Sequence, residues 1–356
     1  MGAYVGLLIA ISLALLCEQG EYRIPKKSYF SVQNVAICLI SLLLLFLSSL
    51  RYDTGADTLG YYNDYVYINT SSIFLSNQKY EYGYVLLNKL LWFFTHNAQV
   101  IIIVTSCITN ILIISEIKKA SCFPLTSIFC YVCFYFYFLS FNVLRQFLAI
   151  AIVFYANKWL LSDEKRGMLK YAISCCIGVL IHSSTLLPLL TCLFIKKKQT
   201  LLVKLIIVIV FFVFLLMGET LSKAISGVIP KYSIYFDYGR TGSTTSSILL
   251  LGVLLLGSWI IDSCGVFEIA NYAFFQNCIA MGLLLNVIAM TNVLFSRVAS
   301  FYTINLILFF PSIIKKINKQ RFWVHLSIVV FGLLYCIWNL LNNNGGVVPY
   351  RLYQGG

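Results

Sequence analysis

The chain alternates between long apolar runs and short polar breaks. Runs at 2–17, 35–50, 98–115, 123–141, 144–161, 200–217, 247–261, 271–291, 298–314 and 322–341 hold almost no charge. Most approach the ~17–25 residues a helix needs to cross a bilayer core. None alternates in polarity as the strands of a membrane barrel do, so the runs predict helices. The stretch 169–195 is also apolar, but His182-Ser183-Ser184 interrupts it. It is expected to form two short helices of ~13 residues turning near His182, a broken pair that opens a cavity. The stretch 84–95 is expected as a partial, re-entrant or surface helix, because a full crossing there would break the register of the other spans. The pattern predicts an all-α, polytopic integral membrane protein with roughly 11–13 transmembrane or re-entrant helices. It is read as one multi-span domain, 1–356, with loops 51–83 and 218–246 covering the active site. No Lys or Arg precedes the first run, and Leu15-Leu16-Cys17 lacks the small residues of a cleavage or lipid-attachment site. That run is therefore expected to be a span rather than a secretory leader.

Composition agrees with this reading. Hydrophobic residues make up 60% of the chain and charged residues only 11%, less than half the roughly 25% of a soluble domain. The net charge of +13 raises the question of nucleic acid, but the distribution excludes it. The cations cluster in short loops: Arg23, Lys26 and Lys27; Lys118 and Lys119; Lys158, Lys165, Arg166 and Lys170; Lys196, Lys197, Lys198 and Lys204; Lys315, Lys316, Lys319 and Arg321. All five loops lie on the cytoplasmic side together if both termini are outside. The loop 262–269 carries only Asp262 and Glu268, so charge does not support its inside placement. The twelve cysteines are scattered and read as small hydrophobes. Cys130-Tyr131-Val132-Cys133 has no second pair to complete a metal site.

The cations left over are the informative ones. Arg51, Arg145, His182, Arg240 and Arg297 all fall on the outer face, although the topology was set without them. Arginine is disfavoured at that boundary, so several there point to an anionic partner from outside or from the outer leaflet. A phosphate or pyrophosphate suits the planar guanidinium fork. Plainer readings stand beside this one. Arg145 and Arg297 could snorkel at helix ends, His182 could satisfy a helix break, and Arg240 could be a surface charge. His96 and His325 are read as structural. Arg51 opens the stretch Arg51-Tyr52-Asp53-Thr54-Gly55-Ala56-Asp57-Thr58-Leu59-Gly60-Tyr61-Tyr62. There Gly55 permits a sharp turn, and Asp53 and Asp57 are placed to hold the guanidinium.

These motifs come in a particular order: Arg51-x-Asp53-x-Gly55-x-Asp57 with Tyr61-Tyr62, then Glu81-Tyr82-Gly83-Tyr84, Leu144-Arg145-Gln146-Phe147, Ile181-His182-Ser183-Ser184, and Ser296-Arg297 ahead of Tyr302. In that order they resemble the EpsG branch of Wzy-type polysaccharide polymerases, over about residues 45 to 305. The first span and the C-terminal tail carry no such motif. The resemblance implies a GT-C-like, lipid-linked glycosyltransferase of the bacterial inner membrane, with its active site on the periplasmic face. Its partners would be the undecaprenyl-diphosphate-linked oligosaccharide donor and acceptor, the bilayer, and a chain-length regulator. The products would be O-antigen, capsule or exopolysaccharide.

The chemistry fits those residues. A diphosphate leaving group gains charge as it departs, and Arg145, Arg297 and Arg240 are the candidates to stabilise it. His182 titrates near neutrality and suits a base. Asp53, Asp57 and Glu81 are alternative bases, or groups that orient Arg51. Tyr61, Tyr62 and neighbouring tyrosines are candidates to stack on sugar faces, or form an interfacial belt. Asp53 and Asp57 are four apart, not a DxD pair, so no metal is expected. A polysaccharide ligase, a flippase of lipid-linked sugar and an acyltransferase on surface sugars are the competing expectations. A transporter would show internal repeats and mid-span charges, and the chain shows neither.

Overall fold

The computed structural model describes residues 1–18, 31–73, 76, 79–193, 195–228, 245–263, 271–317 and 320–354. Among these residues regular structure is wholly helical, apart from an isolated antiparallel bridge between Arg51 and Leu352. The contacts fall into two compact units, residues 1–189 with 307–356, and residues 190–306.

The first unit contains α1 (Gly2–Ala14), α2 (Val32–Ser49), α3 (Thr58–Thr70), α4 (Tyr82–Phe94), α5 (Gln99–Ala120), α6 (Pro124–Cys133), α7 (Phe136–Asn142), α8 (Leu144–Leu160) and α9 (Gly167–Ile181). It closes with most of α15 (Leu306–Lys316) and with α16 (Arg321–Leu341). α2, α5 and α16 are long and apolar enough to cross a membrane. α6 and α7 make one further span bent by 49°, where Tyr135 takes a left-handed conformation, φ 72°.

The ends of these helices sort into two sets. At one end, Gln99 Nε2 donates to Ser49 O and Arg51 O at 2.7 and 3.2 Å. The Tyr61 hydroxyl reaches Asn142 O at 2.9 Å, and the Tyr135 hydroxyl reaches Asn344 O at 2.7 Å. At the other end, Glu18 accepts from the Thr126 amide at 2.6 Å and its hydroxyl at 3.0 Å. His325 Nε2 lies 3.1 Å from that hydroxyl. Burial pushes the Glu18 carboxyl up, against the pull of Thr126, Leu125 and Arg321. Arg321 also stacks on Phe123, 4.5 Å from its ring centre. The α5 and α8 cations Lys119 and Lys158 share this end, both over the Tyr155 ring. Lys119, Lys158 and Arg321 therefore lie at the end of the unit opposite the Arg51 stretch, as the charge pattern predicts.

α4 does not span. Its 13 residues reach about 20 Å, and both of its ends belong to the Arg51 end. Glu81, just before it, bonds Ser183, and Thr95, just after it, accepts from the Tyr65 hydroxyl at 2.8 Å. The expectation for 84–95 thus holds in its surface or re-entrant form. The broken stretch turns at His182 as expected. The two halves are unequal, though: 15 residues in α9, then a 3-10 turn and only six in α10 (Leu186–Thr191). At Gly178 the returning chain is pressed on α9. A Cβ there would come 2.7 Å from Thr185.

The second unit contains α11 (Leu201–Val228), α12 (Thr245–Ser263), α13 (Tyr272–Ile288) and α14 (Leu294–Thr303). α13 packs against the other three and is buried on most sides. Polar ties inside it include the Tyr272 hydroxyl to Ser258 O at 2.8 Å and Gln199 to Asn277 at 2.9 Å. The expected run 298–314 falls within one candidate span, Leu294–Lys316, made of α14 and α15 with a turn at residues 304 and 305. The expected loop 218–246 begins later than the sequence suggests, since α11 continues to Val228.

Candidate functional site

The motifs of the first unit meet at its Arg51 end. α4 begins where α9 stops, and Gly83 is what lets them touch: a Cβ at 83 would sit 2.7 Å from Leu180 O. This contact sets Glu81 beside the turn after α9. Glu81 Oε1 accepts from the Ser183 amide and the Ser183 hydroxyl, both at 3.1 Å. Glu81 Oε2 accepts from Arg145 Nη1 at 3.0 Å. Burial alone would raise the Glu81 carboxyl. The Ser183 amide, Arg145 and His182 outweigh that and hold it below the usual carboxylate range. It is thus ionised at neutral pH and well occupied, a positioning group more than a base. Replacing Gly83 by Ala should push α4 off α9 and pull Glu81 from Ser183. The expected loss is about 1–3 kcal/mol of stability from overpacking, read as a lower melting temperature in detergent. An unchanged melting curve would mean the two helices part without cost.

Arg145 stands in the first turn of α8, its guanidinium 5.1 Å from the ring centres of both Tyr80 and Tyr84. Its side chain is 22% exposed, and its Nε has no partner among the described residues. The tyrosine rings and one carboxylate oxygen therefore orient the fork; Nε is buried, and Nη2 is the donor that remains for an anion. The Tyr80 hydroxyl donates to Asp64 Oδ1, and Lys79 pairs with the same carboxylate at 3.4 Å, so Asp64 is spoken for.

His182 adopts an extended backbone that ends α9. Its Nδ1 lies 2.7 Å from Ser184 Oγ and accepts from the Ser184 amide at 3.3 Å. Gln146 Nε2 donates to the same hydroxyl at 3.4 Å. A neutral ring accepting at Nδ1 carries its proton on Nε2.

Arg51 is not where the sequence suggests. It is fully buried. Its Nη1 donates to Ser48 O and to Ser106 Oγ, the latter at 2.9 Å, and its Nη2 to Phe141 O at 3.4 Å. Its guanidinium carbon lies 4.4 Å from the Phe141 ring centre. Burial lowers its pKa to about 10, so it remains a cation at neutral pH. The expectation that Asp53 and Asp57 hold it is corrected. Asp53, at φ 44°, pairs with Arg351. Asp57 is half-buried at the start of α3 and makes no cap bond. The Tyr61 and Tyr62 hydroxyls also bond inward, to Asn142 O and Gln99 Oε1. At this end Tyr52, 42% exposed, faces outward instead.

The partner of Asp53 reveals a part of the site that carries no motif. Residues 343–353 fold back over the Arg51 stretch as a strap. Gly55 and Ala56 donate to Gly346 O and Gly345 O, both at 2.9 Å, while Tyr52 donates to Arg351 O and Tyr353 to Leu50 O, both at 2.8 Å. Thr54 Oγ1 accepts from the Arg351 amide at 3.0 Å. Positive φ at Gly55, Gly345 and Gly346 makes these close turns possible. The one sequence signal was a cation, Arg351, in a tail expected outside. Exchanging the pair, Asp53→Arg with Arg351→Asp, should restore the melting temperature in detergent lost in either single variant. Failure of the exchange to restore it would mean the ion pair does not fix the strap.

Arg297 lies in the first turn of α14, half-buried, in the second unit. Arg240 lies outside the described residues. Among the described residues no three His, Cys, Asp or Glu side chains gather as a metal would need.

With α2, α5 and α16 in the first unit and α11 and α12 in the second long and apolar enough to cross a bilayer, the fold defines a multi-pass membrane protein. A family model described as the EpsG family matches residues 34–352, and the chain belongs to that family. The match extends past the motifs into the strap. The chain matches no curated protein and no solved structure.

Proposed function

We propose that the protein is an inner-membrane polymerase that joins lipid-linked oligosaccharide repeat units into a surface polysaccharide, with its site on the periplasmic face. Family membership suggests a polysaccharide-polymerase-like role. The observation that supports the chemistry is the Glu81–Arg145–Ser183 cluster, at the end of the first unit opposite Lys119, Lys158 and Arg321. An acceptor hydroxyl oxygen bonds to the donor's anomeric carbon as the bond from that carbon to the undecaprenyl diphosphate breaks. The electron pair stays on the departing phosphate, where the Arg145 fork stabilises it. His182, with its proton on Nε2, donates a hydrogen bond to a phosphate oxygen. This pose suits a donor better than the base expected from sequence. Asp57, whose carboxylate makes no cap bond to α3, is left to take the hydroxyl proton.

The test is the surface polysaccharide of a deletion strain carrying wild type or Arg145→Ala. Single lipid-linked repeat units without a ladder support polymerisation. A full ladder stranded on the lipid carrier would mean ligation, and no outward-facing unit would mean transport.

A further inference from the structure

The outward side of α4 has no charge on it. Tyr82, Leu86, Leu90, Phe93 and Phe94 form one stripe, with exposures of 69%, 70%, 56%, 82% and 74%. The polar residues of the helix face the other way. Asn88 is fully buried, and Lys89 turns inward to Ile68 O and Ser71 O at 3.0 and 3.3 Å. Trp92 stacks on His96, ring centres 4.2 Å apart. A helix in water shows the reverse arrangement, apolar in and charged out. Exposed apolar faces are ordinary on a helix that spans, but α4 begins and ends at the Arg51 end and cannot span.

Its neighbour identifies what covers the stripe. α9 packs against α4 at Gly83 and Leu180, and α9 shows Ile173, Ile177 and Leu180 outward, at 52%, 50% and 51% exposure. α9 is itself an apolar helix, and this outward side of it is apolar throughout. The stripe on α4 continues that surface around the corner at the membrane's edge. We infer that α4 lies in the plane of the membrane, with its stripe immersed in lipid hydrocarbon beneath the headgroups. An in-plane helix of this kind sinks its apolar face ~5–10 Å into the headgroup–acyl boundary. Glu81, directly before the stripe, and Arg145, which it holds, then sit at phosphate level. An anionic headgroup reaches the cluster by sliding along the leaflet, with its hydrocarbon still in the bilayer. This inference does not depend on glycosyl transfer, because its readout is lipid contact and not polymer.

The test uses the full chain in liposomes of phosphatidylethanolamine and phosphatidylglycerol. p-Benzoylphenylalanine is placed at Leu86 and, separately, at Phe93, with Ile177 of α9 as the reference. On irradiation, adducts of phospholipid mass at 86 and 93 are expected, in yields like that at 177. Unmodified protein at both positions, or a crosslink to a second copy, would overturn the inference. Hydroxyl-radical footprinting of the unsubstituted protein gives an independent reading that needs no variant. Phe93 and Phe94 should be oxidised far less than Tyr52, because the apolar face of an in-plane helix lies ~5–10 Å into the headgroup–acyl boundary. Oxidation equal to that of Tyr52 would place the stripe in water and overturn the inference equally.

Discussion

Replacing Arg145 by Ala should lower polymerisation by about 10²–10³-fold while the protein still reaches the membrane, which is the usual cost of removing one preorganised charge donor. The expectation rests on how the side chain is held. Glu81 binds one terminal nitrogen at 3.0 Å, and Tyr80 and Tyr84 flank the plane at 5.1 Å. Nε has no partner among the described residues. That nitrogen is buried, so the protein has spent Nη1 on orientation and kept Nη2 for a ligand. Lysine can take over the pairing with Glu81, but its ammonium is a point charge without a fork or a planar face for the tyrosines. Arg145→Lys should thus fail nearly as badly as Arg145→Ala. The check is the polysaccharide ladder together with membrane protein level. A normal ladder in the lysine variant would show that only charge is needed, and would sink the bidentate reading. Glu81→Gln should keep the two Ser183 bonds but loosen the fork, giving a smaller defect than the loss of Arg145.

The helices of the first unit were legible because membrane spans write themselves as unbroken apolar runs. The turn at His182 was legible because three polar residues cannot sit inside such a run without breaking it. The positive-inside pattern also placed Arg145, His182 and Glu81 at one end, and the structure joins them there. What the sequence could not show is what holds Arg51. Its partners are two backbone carbonyls and Ser106, a residue that reads as an unremarkable polar position inside α5. Backbone acceptors leave no pattern in side chains, so two nearby aspartates looked like the natural partners. The strap was hidden for the same reason. Four of its ties are amide-to-carbonyl bonds, which any residue but proline can make. The inverted face of α4 was partly legible, as apolar residues at spacings of three and four, but such a stripe reads as buried until the helix ends are located.

Replacing Arg51 by Ala should remove folded protein and not merely activity. The guanidinium is fully buried and joins the end of α2 to α5 through Ser106 and to α7 through Phe141. Truncation leaves a cavity under the strap and orphans Ser48 O, Phe141 O and the Ser106 hydroxyl. A large core truncation combined with buried unsatisfied polar groups costs about 3–5 kcal/mol, comparable to the whole stability of many domains. Arg51→Lys keeps the charge but loses the fork that reaches Ser106 and Phe141 together, and the flat contact with the Phe141 ring. It should fall between wild type and Arg51→Ala. The measurement is fluorescence-detected gel filtration and thermal unfolding of each variant in detergent. A monodisperse Arg51→Ala protein with an unchanged melting temperature, yet no polymer, would move Arg51 from scaffold to substrate contact. Aggregated or absent protein assigns it to the scaffold: it fixes where Asp53, Thr54 and Gly55 meet the strap, and so positions the loop that leads into Asp57.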